Sequence, residues 1–153
     1  MTLSELCVAC GLCCDGSLFR FLPVDEAERA TYARLGLPVV TQSGRPAMPL
    51  PCTRLAGTCC TVYAERPGGC RAYVCRLGDA LSRGQVSGER ALAVVREARR
   101  RIDALRAAFP GHEPVVQRAT TASLAGDPAL SAEAFERLAH ARRWLDDEVH
   151  WPE

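Results

Sequence analysis

The cysteines of this 153-residue chain are confined to its first half, where they form two clusters. There are nine, and residues 76–153 contain none. The first cluster spans residues 7–14 and the second spans residues 52–75. The members are Cys7, Cys10, Cys13 and Cys14, followed by Cys52, Cys59, Cys60, Cys70 and Cys75. Any fold of this chain has to accommodate all nine thiols in its N-terminal half.

How a protein uses cysteines depends on the redox conditions around it. The first residues lack the basic and apolar stretches of a secretory signal. No apolar run reaches the roughly 18 residues of a membrane-spanning helix. We therefore expect a cytoplasmic protein with no membrane segment, whose thiols stay reduced. There, clustered cysteines indicate a metal site more often than disulfides, and the odd count argues against complete pairing. A disulfide or redox-switch framework is the alternative.

Apart from cysteine, the composition is that of an ordinary globular protein, with 48% apolar and 24% charged residues. The formal net charge of +1 gives no electrostatic reason to predict nucleic acid or anionic membrane as a partner. The length predicts a single domain covering residues 1–153.

Local patterns predict a small α+β fold. A loop-rich, cysteine- and metal-nucleated N-terminal half with short strands would pack against a helical C-terminal half. We assign residues 5–77 to the metal-binding region and residues 88–150 to the helical region. Apolar residues at helical spacing predict a helix over 89–109 and a last helix that begins near residue 127.

The N-terminal half shows weaker signals. Residues 17–23 alternate as a short strand does, and residues 24–35 are typical of a helix with acids in its first turns. Residues 36–51 contain four prolines, which predicts a loop or a short edge strand. Residues 52–75 are expected to form turns and short strands.

The spacing of the first cluster suits a metal. Cys7, Cys10 and Cys13 are each three residues apart, so their sulfurs can converge from a loop or one helical turn. A tetrahedral zinc needs four such ligands, and a cubane iron–sulfur cluster takes three from a C-x2-C-x2-C run and one from elsewhere. Gly11 lies where a tight turn would need an unrestricted backbone. Spacing alone leaves zinc and iron open.

Adjacent cysteines constrain the arrangement further. Successive side chains diverge by about 100° on a helix and point to opposite faces of a strand. Cys13 and Cys14 therefore cannot easily bind the same ion. Either they serve two centres or one of them stands outside the ligand set, and the same holds for Cys59 and Cys60.

Arginines outnumber acids around the second cluster. Between residues 52 and 76 there are four arginines and one acid, Glu65. Guanidinium groups near a thiol lower its pKa and offset the negative charge of metal thiolates. Of these arginines, Arg71 is the one we expect to act in this way, whereas Arg66 is expected to bond loop carbonyls. The run Arg99–Arg101 is expected to be a solvated helix face.

The order and spacing of these residues resemble the YkgJ-type cysteine cluster family, described as a zinc- or iron-chelating domain with a CxxCxxCC pattern. The resemblance covers about residues 5–77 and includes Tyr63, Tyr73 and the Arg66-Pro67 pair. It implies a ligand set in which Cys59 is an extra. That set is Cys7, Cys10, Cys13, Cys14, Cys52, Cys60, Cys70 and Cys75.

The sequence thus predicts a protein that chelates zinc or iron through eight thiolates, as zinc sites or as an iron–sulfur cluster such as [4Fe–4S]. A similar cysteine pattern in flagellin lysine methylases keeps a second hypothesis open, an iron–sulfur redox or group-transfer enzyme, although we find no catalytic motif. Metal buffering is a third. A protein partner would dock on the C-terminal helices.

Overall fold

The computed structural model describes residues 1–109, 121 and 132–149. The predicted α+β class is confirmed: short antiparallel strands occupy the N-terminal half, and long helices follow. The helices are α1 (Leu3–Cys10), α2 (Arg29–Arg34), α3 (Gly68–Ala72), α4 (Arg76–Ser82), α5 (Gly88–Ala108) and α6 (Ala132–Val149). The strands are β1 (Phe21–Pro23), β2 (Val40–Gln42), β3 (Arg45–Pro49), β4 (Leu55–Ala56) and β5 (Cys59–Cys60).

Helix α1 has a strong start and a sharp stop. Thr2 forms a capping box with Glu5, in which each side chain accepts a hydrogen bond from the other residue's backbone N–H. The helix ends because Gly11 adopts a left-handed conformation, with φ 68°. The chain then reverses directly after Cys10, which confirms the unrestricted backbone expected at Gly11.

The proline-rich segment 36–51 contains the short edge strand β2 and the central strand β3, so the expected loop or short edge strand is right for β2 and wrong for β3. Strand β3 lies between β1 and β2 and pairs antiparallel with both, although it contains Pro46 and Pro49. Proline removes a hydrogen-bond donor but keeps its carbonyl. The carbonyl of Pro46 accepts from the Val24 amide at 3.0 Å. The neighbouring strands are three residues long, so little of the ladder depends on the missing donors.

Two local predictions need smaller corrections. The helix expected over 24–35 starts later, as a 3₁₀ turn at Glu26–Glu28 capped by Asp25, and continues as α2. The segment 52–75 contains the predicted turns and short strands, but also the unexpected helix α3 after Pro67. Proline without an N–H fits at the start of a helix, where donors are unpaired.

The C-terminal half is helical as predicted in its described residues. Ser87 caps α5 by accepting a hydrogen bond from the Arg90 amide at 3.1 Å. Helix α5 packs against α1, α4 and α6. Residues 110–120 and 122–131 lie outside the described residues, and so does the predicted start of the last helix. None of the helices in the described part of the chain is both long enough and apolar enough to cross a membrane.

Two apolar cores hold the fold together. We call the first the helical core, because α1, α4, α5 and α6 build it around residues such as Leu6, Ile102 and Leu145. The second, the sheet core, joins β1, β3 and α2 around Tyr32 and Met48. The segment that contains the first four cysteines runs from the helical core toward the sheet.

The turn after α1 provides a stability test with a matched control. Gly11 and Gly57 both have positive φ, so alanine costs about 1–2 kcal/mol at either position. A Cβ at Gly11 would also lie 3.1 Å from the Thr58 Cα, whereas a Cβ at Gly57 meets no atom within 4 Å. We expect Gly11→Ala to lower the free energy of unfolding more than Gly57→Ala, as measured by denaturant titration. Equal losses would contradict a tight approach between this turn and the β4–β5 hairpin.

Candidate metal centre

The eight predicted ligands come from several elements. Helix α1 contributes Cys7 and Cys10, and the turn that follows it contributes Cys13 and Cys14. Cys52 follows β3, Cys60 lies in β5, Cys70 lies in α3, and Cys75 is the N-cap of α4. All nine cysteines are free thiols.

These elements surround a cavity of about 250 Å³ between the two cores. The cavity wall contains the eight predicted ligands, Cys7, Cys10, Cys13, Cys14, Cys52, Cys60, Cys70 and Cys75, but not Cys59. Cys59 is exposed on β5. Among the described residues, no group of three or more His, Cys, Asp or Glu side chains is already placed to hold a metal ion. The thiols share a cavity without converging on one point.

The other cavity-lining residues are mostly apolar. Among the described residues of the wall, Arg66 and Arg71 are the charged ones, and carboxylates and imidazoles are absent. Thiolate sulfur is a soft ligand that selects zinc, copper(I) or iron–sulfur clusters over magnesium or calcium. The donor set therefore fits a thiophilic metal and does not fit a hard cation.

Burial favours the protonated form of thiols such as Cys10, Cys14 and Cys70 when no cation is near. It raises the pKa of Cys10 to about 11, of Cys14 to about 12 and of Cys70 to about 11. The ordinary value is 9.0. A metal that binds these sulfurs must therefore displace protons, and its affinity will rise with pH.

After burial, neighbouring thiols raise one another's pKa, mostly within two groups. The pKa of Cys10 is raised further by Cys75 and Cys7, and that of Cys14 by Cys52, Cys70, Cys60 and, least of these, Cys7. We call Cys7, Cys10, Cys13 and Cys75 the helix-side group, and Cys14, Cys52, Cys60 and Cys70 the sheet-side group. Cys10 and Cys75 pack against the helical core, whereas Cys52 and Cys70 pack against the sheet core.

Backbone amides support one sulfur in each group. The Gly78 amide donates to the Cys75 sulfur at 3.3 Å, and the Arg54 amide donates to the Cys52 sulfur at 3.4 Å. Cys75 also lies at the N-terminus of α4, where the free amides favour negative charge. Such donors stabilise a thiolate relative to a thiol.

The arginines act differently from the sequence-based expectation. Arg71 donates to the carbonyls of Arg66 and Ala64, so it braces the loop before α3. Arg66 instead stacks on the Tyr63 ring at 3.9 Å, and its charge opposes the rise in pKa that burial causes at Cys7 and Cys70. The expected roles of Arg66 and Arg71 are thus exchanged.

Helix α5 holds the cysteine turn from outside, which the sequence did not reveal. Arg99 donates to the Cys10 carbonyl at 2.5 Å. Arg106 donates to Asp15 at 2.7 Å and to the buried Ser17 hydroxyl at 3.0 Å. The expectation that residues 99–101 form a solvated face is therefore wrong for Arg99. It is also wrong for Arg101, whose side chain is 17% exposed and stacks on the Trp144 ring at 4.8 Å, whereas Arg100 is exposed as expected. The sequence hinted at the role of α5, because Arg99 and Arg106 lie seven residues apart and therefore on one face of a helix. Arginines on solvent-exposed helix faces often have the same spacing, so the hint was not specific.

A tyrosine accompanies each group, half-buried in the case of Tyr73 and fully buried in the case of Tyr32. The ring of Tyr73 meets Phe19 edge to face at 5.0 Å, and its pKa is raised by burial and then by Cys13 and Cys75. Tyr32 is fully buried, and its hydroxyl has no hydrogen-bond partner within the described residues. Burial and the nearby Cys70 raise the pKa of Tyr32 to about 12. Tyr32 lies within residues 5–77 but is not among the residues that carry the resemblance, and sequence reasoning missed it.

The chain matches no family model, no curated protein and no solved structure. The resemblance to the YkgJ-type cysteine cluster family therefore remains a prediction that rests on the residues that carry it.

The raised thiol pKa values predict how the metal-free protein responds to alkali. Above pH 9 the unfolded chain loses thiol protons that the folded chain still keeps, so the folded state should lose stability as pH rises from about 9 toward 11–12. We expect the Tm of chelator-treated, reduced protein to fall across this range. The Tm of the Cys10→Ser/Cys70→Ser variant should fall less steeply, because two of these thiols have been removed. A flat or rising Tm would contradict thiol burial.

Proposed function

We propose that this protein chelates zinc or iron through eight of its nine cysteines, all except Cys59. The observation that carries the proposal is that eight thiols from separate elements line one apolar cavity. Unrelated cysteines would not be expected to share a cavity while the one departure from the pattern, Cys59, stays outside it.

The chemistry of the cavity supports a thiophilic metal. Its described wall offers sulfur donors without competing carboxylates. Four thiolates around a divalent ion or a cubane retain negative charge, and the guanidinium groups of Arg54, Arg66 and Arg99 act on the cysteines nearest to them. The positive charge of these guanidinium groups favours the thiolate form that metal binding requires.

Metal would also contribute to folding. Strands β4 and β5 have two residues each, and α3 has five, so none of them is stable alone. Metal–sulfur bonds would link these elements to α1 and α4, and the binding energy would become folding energy. The thiols must move closer together to bind, because no group of three is already placed to hold an ion in the described residues.

We propose the cytoplasm as the compartment of this protein, because thiols stay reduced there, and the nine free cysteines are compatible with such a compartment. Zinc and iron are both compatible with an all-thiolate donor set. Iron accompanied by acid-labile sulfide would open the redox or group-transfer chemistry of an iron–sulfur protein. Colourless zinc would indicate a structural or buffering role.

Elemental analysis and an absorption spectrum of protein purified without oxygen test the proposal. We expect zinc, or iron with acid-labile sulfide and broad visible absorption. Cys10→Ser and Cys70→Ser should each lower the metal content and destabilise the protein by at least about 2 kcal/mol, or about 4–8 °C in Tm. Cys59→Ser is the matched control and should change neither quantity. Wild-type protein without metal after reconstitution under reducing conditions would refute the function.

A further inference from the structure

We propose, on the basis of the proposed function, that the eight cysteines form two separate four-thiolate metal centres. The helix-side group (Cys7, Cys10, Cys13 and Cys75) holds one, and the sheet-side group (Cys14, Cys52, Cys60 and Cys70) holds the other. Four thiolates complete a tetrahedral zinc site or the ligand set of a cubane cluster. The division therefore holds for either metal.

The division begins at two adjacent residues. Successive side chains point in different directions, so Cys13 and Cys14 face different surroundings. The Cys14 carbonyl accepts a hydrogen bond from the Cys52 amide at 2.8 Å, which ties Cys14 to the segment after β3. Cys13, three residues after Cys10, is assigned to the side of α1 and α4. One cysteine of the pair thus belongs to each group.

Packing separates the remaining ligands in the same way. Cys10 and Cys75 contact the helical core, whereas Cys52 and Cys70 contact the sheet core. The helices that provide Cys10 and Cys75 pack against each other, since α1 contacts α4. Each group is therefore anchored on its own core, and a single shared centre would require ligands from both.

The elements that carry Cys7 and Cys60 agree with this division. Cys7 lies on α1, three residues before Cys10. Cys60 pairs across the β4–β5 hairpin with Leu55, whose amide donates to the Cys52 carbonyl at 3.1 Å. Cys7 therefore goes with Cys10, and Cys60 goes with Cys52.

Tyr32 provides a ligand-directed group for the sheet-side centre. Its side chain is fully buried in the sheet core that Cys52 and Cys70 also contact. A Cβ at Gly69, next to Cys70, would lie 3.2 Å from the Tyr32 hydroxyl, so this glycine leaves room for the hydroxyl beside α3. A buried O–H without a partner in the described residues needs an acceptor. The proposal assigns it a metal-bound thiolate of this centre, with Tyr32 as a positioning residue.

Paired substitutions test the division. Cys10→Ser/Cys75→Ser damages one proposed centre, whereas Cys10→Ser/Cys70→Ser damages both. After anaerobic reconstitution, we expect the first variant to hold about half of the wild-type metal and the second to hold almost none. Equal metal loss in the two variants would overturn the division but leave the proposed function standing. A wild-type protein that binds no metal would instead refute the function itself.

Cobalt(II) titration of the wild-type protein decides the question if the variants do not fold. Two separate centres should give a paramagnetic resonance signal of high-spin cobalt(II) that grows in proportion to added ion up to two equivalents. A signal that falls as the second equivalent is added would indicate sulfurs that bridge two ions and couple their spins, and would overturn the division.

The role of Tyr32 is tested in variants that keep one centre. In Cys10→Ser/Cys75→Ser, which retains the sheet-side centre, Tyr32→Phe should weaken cobalt(II) affinity by about 10–100-fold and shift its sulfur-to-cobalt band. In Cys14→Ser/Cys52→Ser, which retains the helix-side centre, the same change should have no effect. The metal-free chain should be as stable as before, or more so. Unchanged or equally reduced affinity in both variants would refute this role.

Discussion

The structure depends on the burial of thiols between two apolar cores. Burial makes the sulfurs of Cys10 and Cys14 costly to ionise, as their raised pKa values show. A soft cation would reverse that cost, because it stabilises the thiolate directly. The same cavity is therefore unfavourable for bare negative charge and favourable for a metal–sulfur centre. The short elements around the cavity matter because they carry the sulfurs that such a centre would bind.

The charged groups near the cavity follow from the same constraint. A centre with four thiolates keeps a negative charge after it binds a divalent ion, and that charge has to be offset in an apolar setting. The protein uses guanidinium groups at the edge of the cavity, together with backbone amides that donate to Cys52 and Cys75. Carboxylates, which would add negative charge, are absent from the described wall.

Local signals in the sequence predicted the elements whose causes are local. The turn at Gly11 was predicted, although helix α1 before it was not, and the apolar spacing of residues 89–109 marked α5. The central position of β3 was missed because one of its two partners, β1, is distant in the chain and its prolines favour an edge. The candidate ligands could be named from their pattern. Their grouping and the place of Tyr32 could not, since both depend on which core each residue contacts.

Arg99 and Arg106 lie seven residues apart on α5, about 10.5 Å along the helix axis. Arg99 donates a hydrogen bond to the Cys10 carbonyl at the end of α1, and Arg106 donates to Asp15 and Ser17 just beyond Cys14. The rise of α5 therefore sets the distance between Cys10 and Asp15, the two ends of the segment that contains Cys13 and Cys14. A one-residue insertion between Arg99 and Arg106 would rotate one arginine away from its partner by about 100°. The spacing of the thiols would then change, although no cysteine had been replaced.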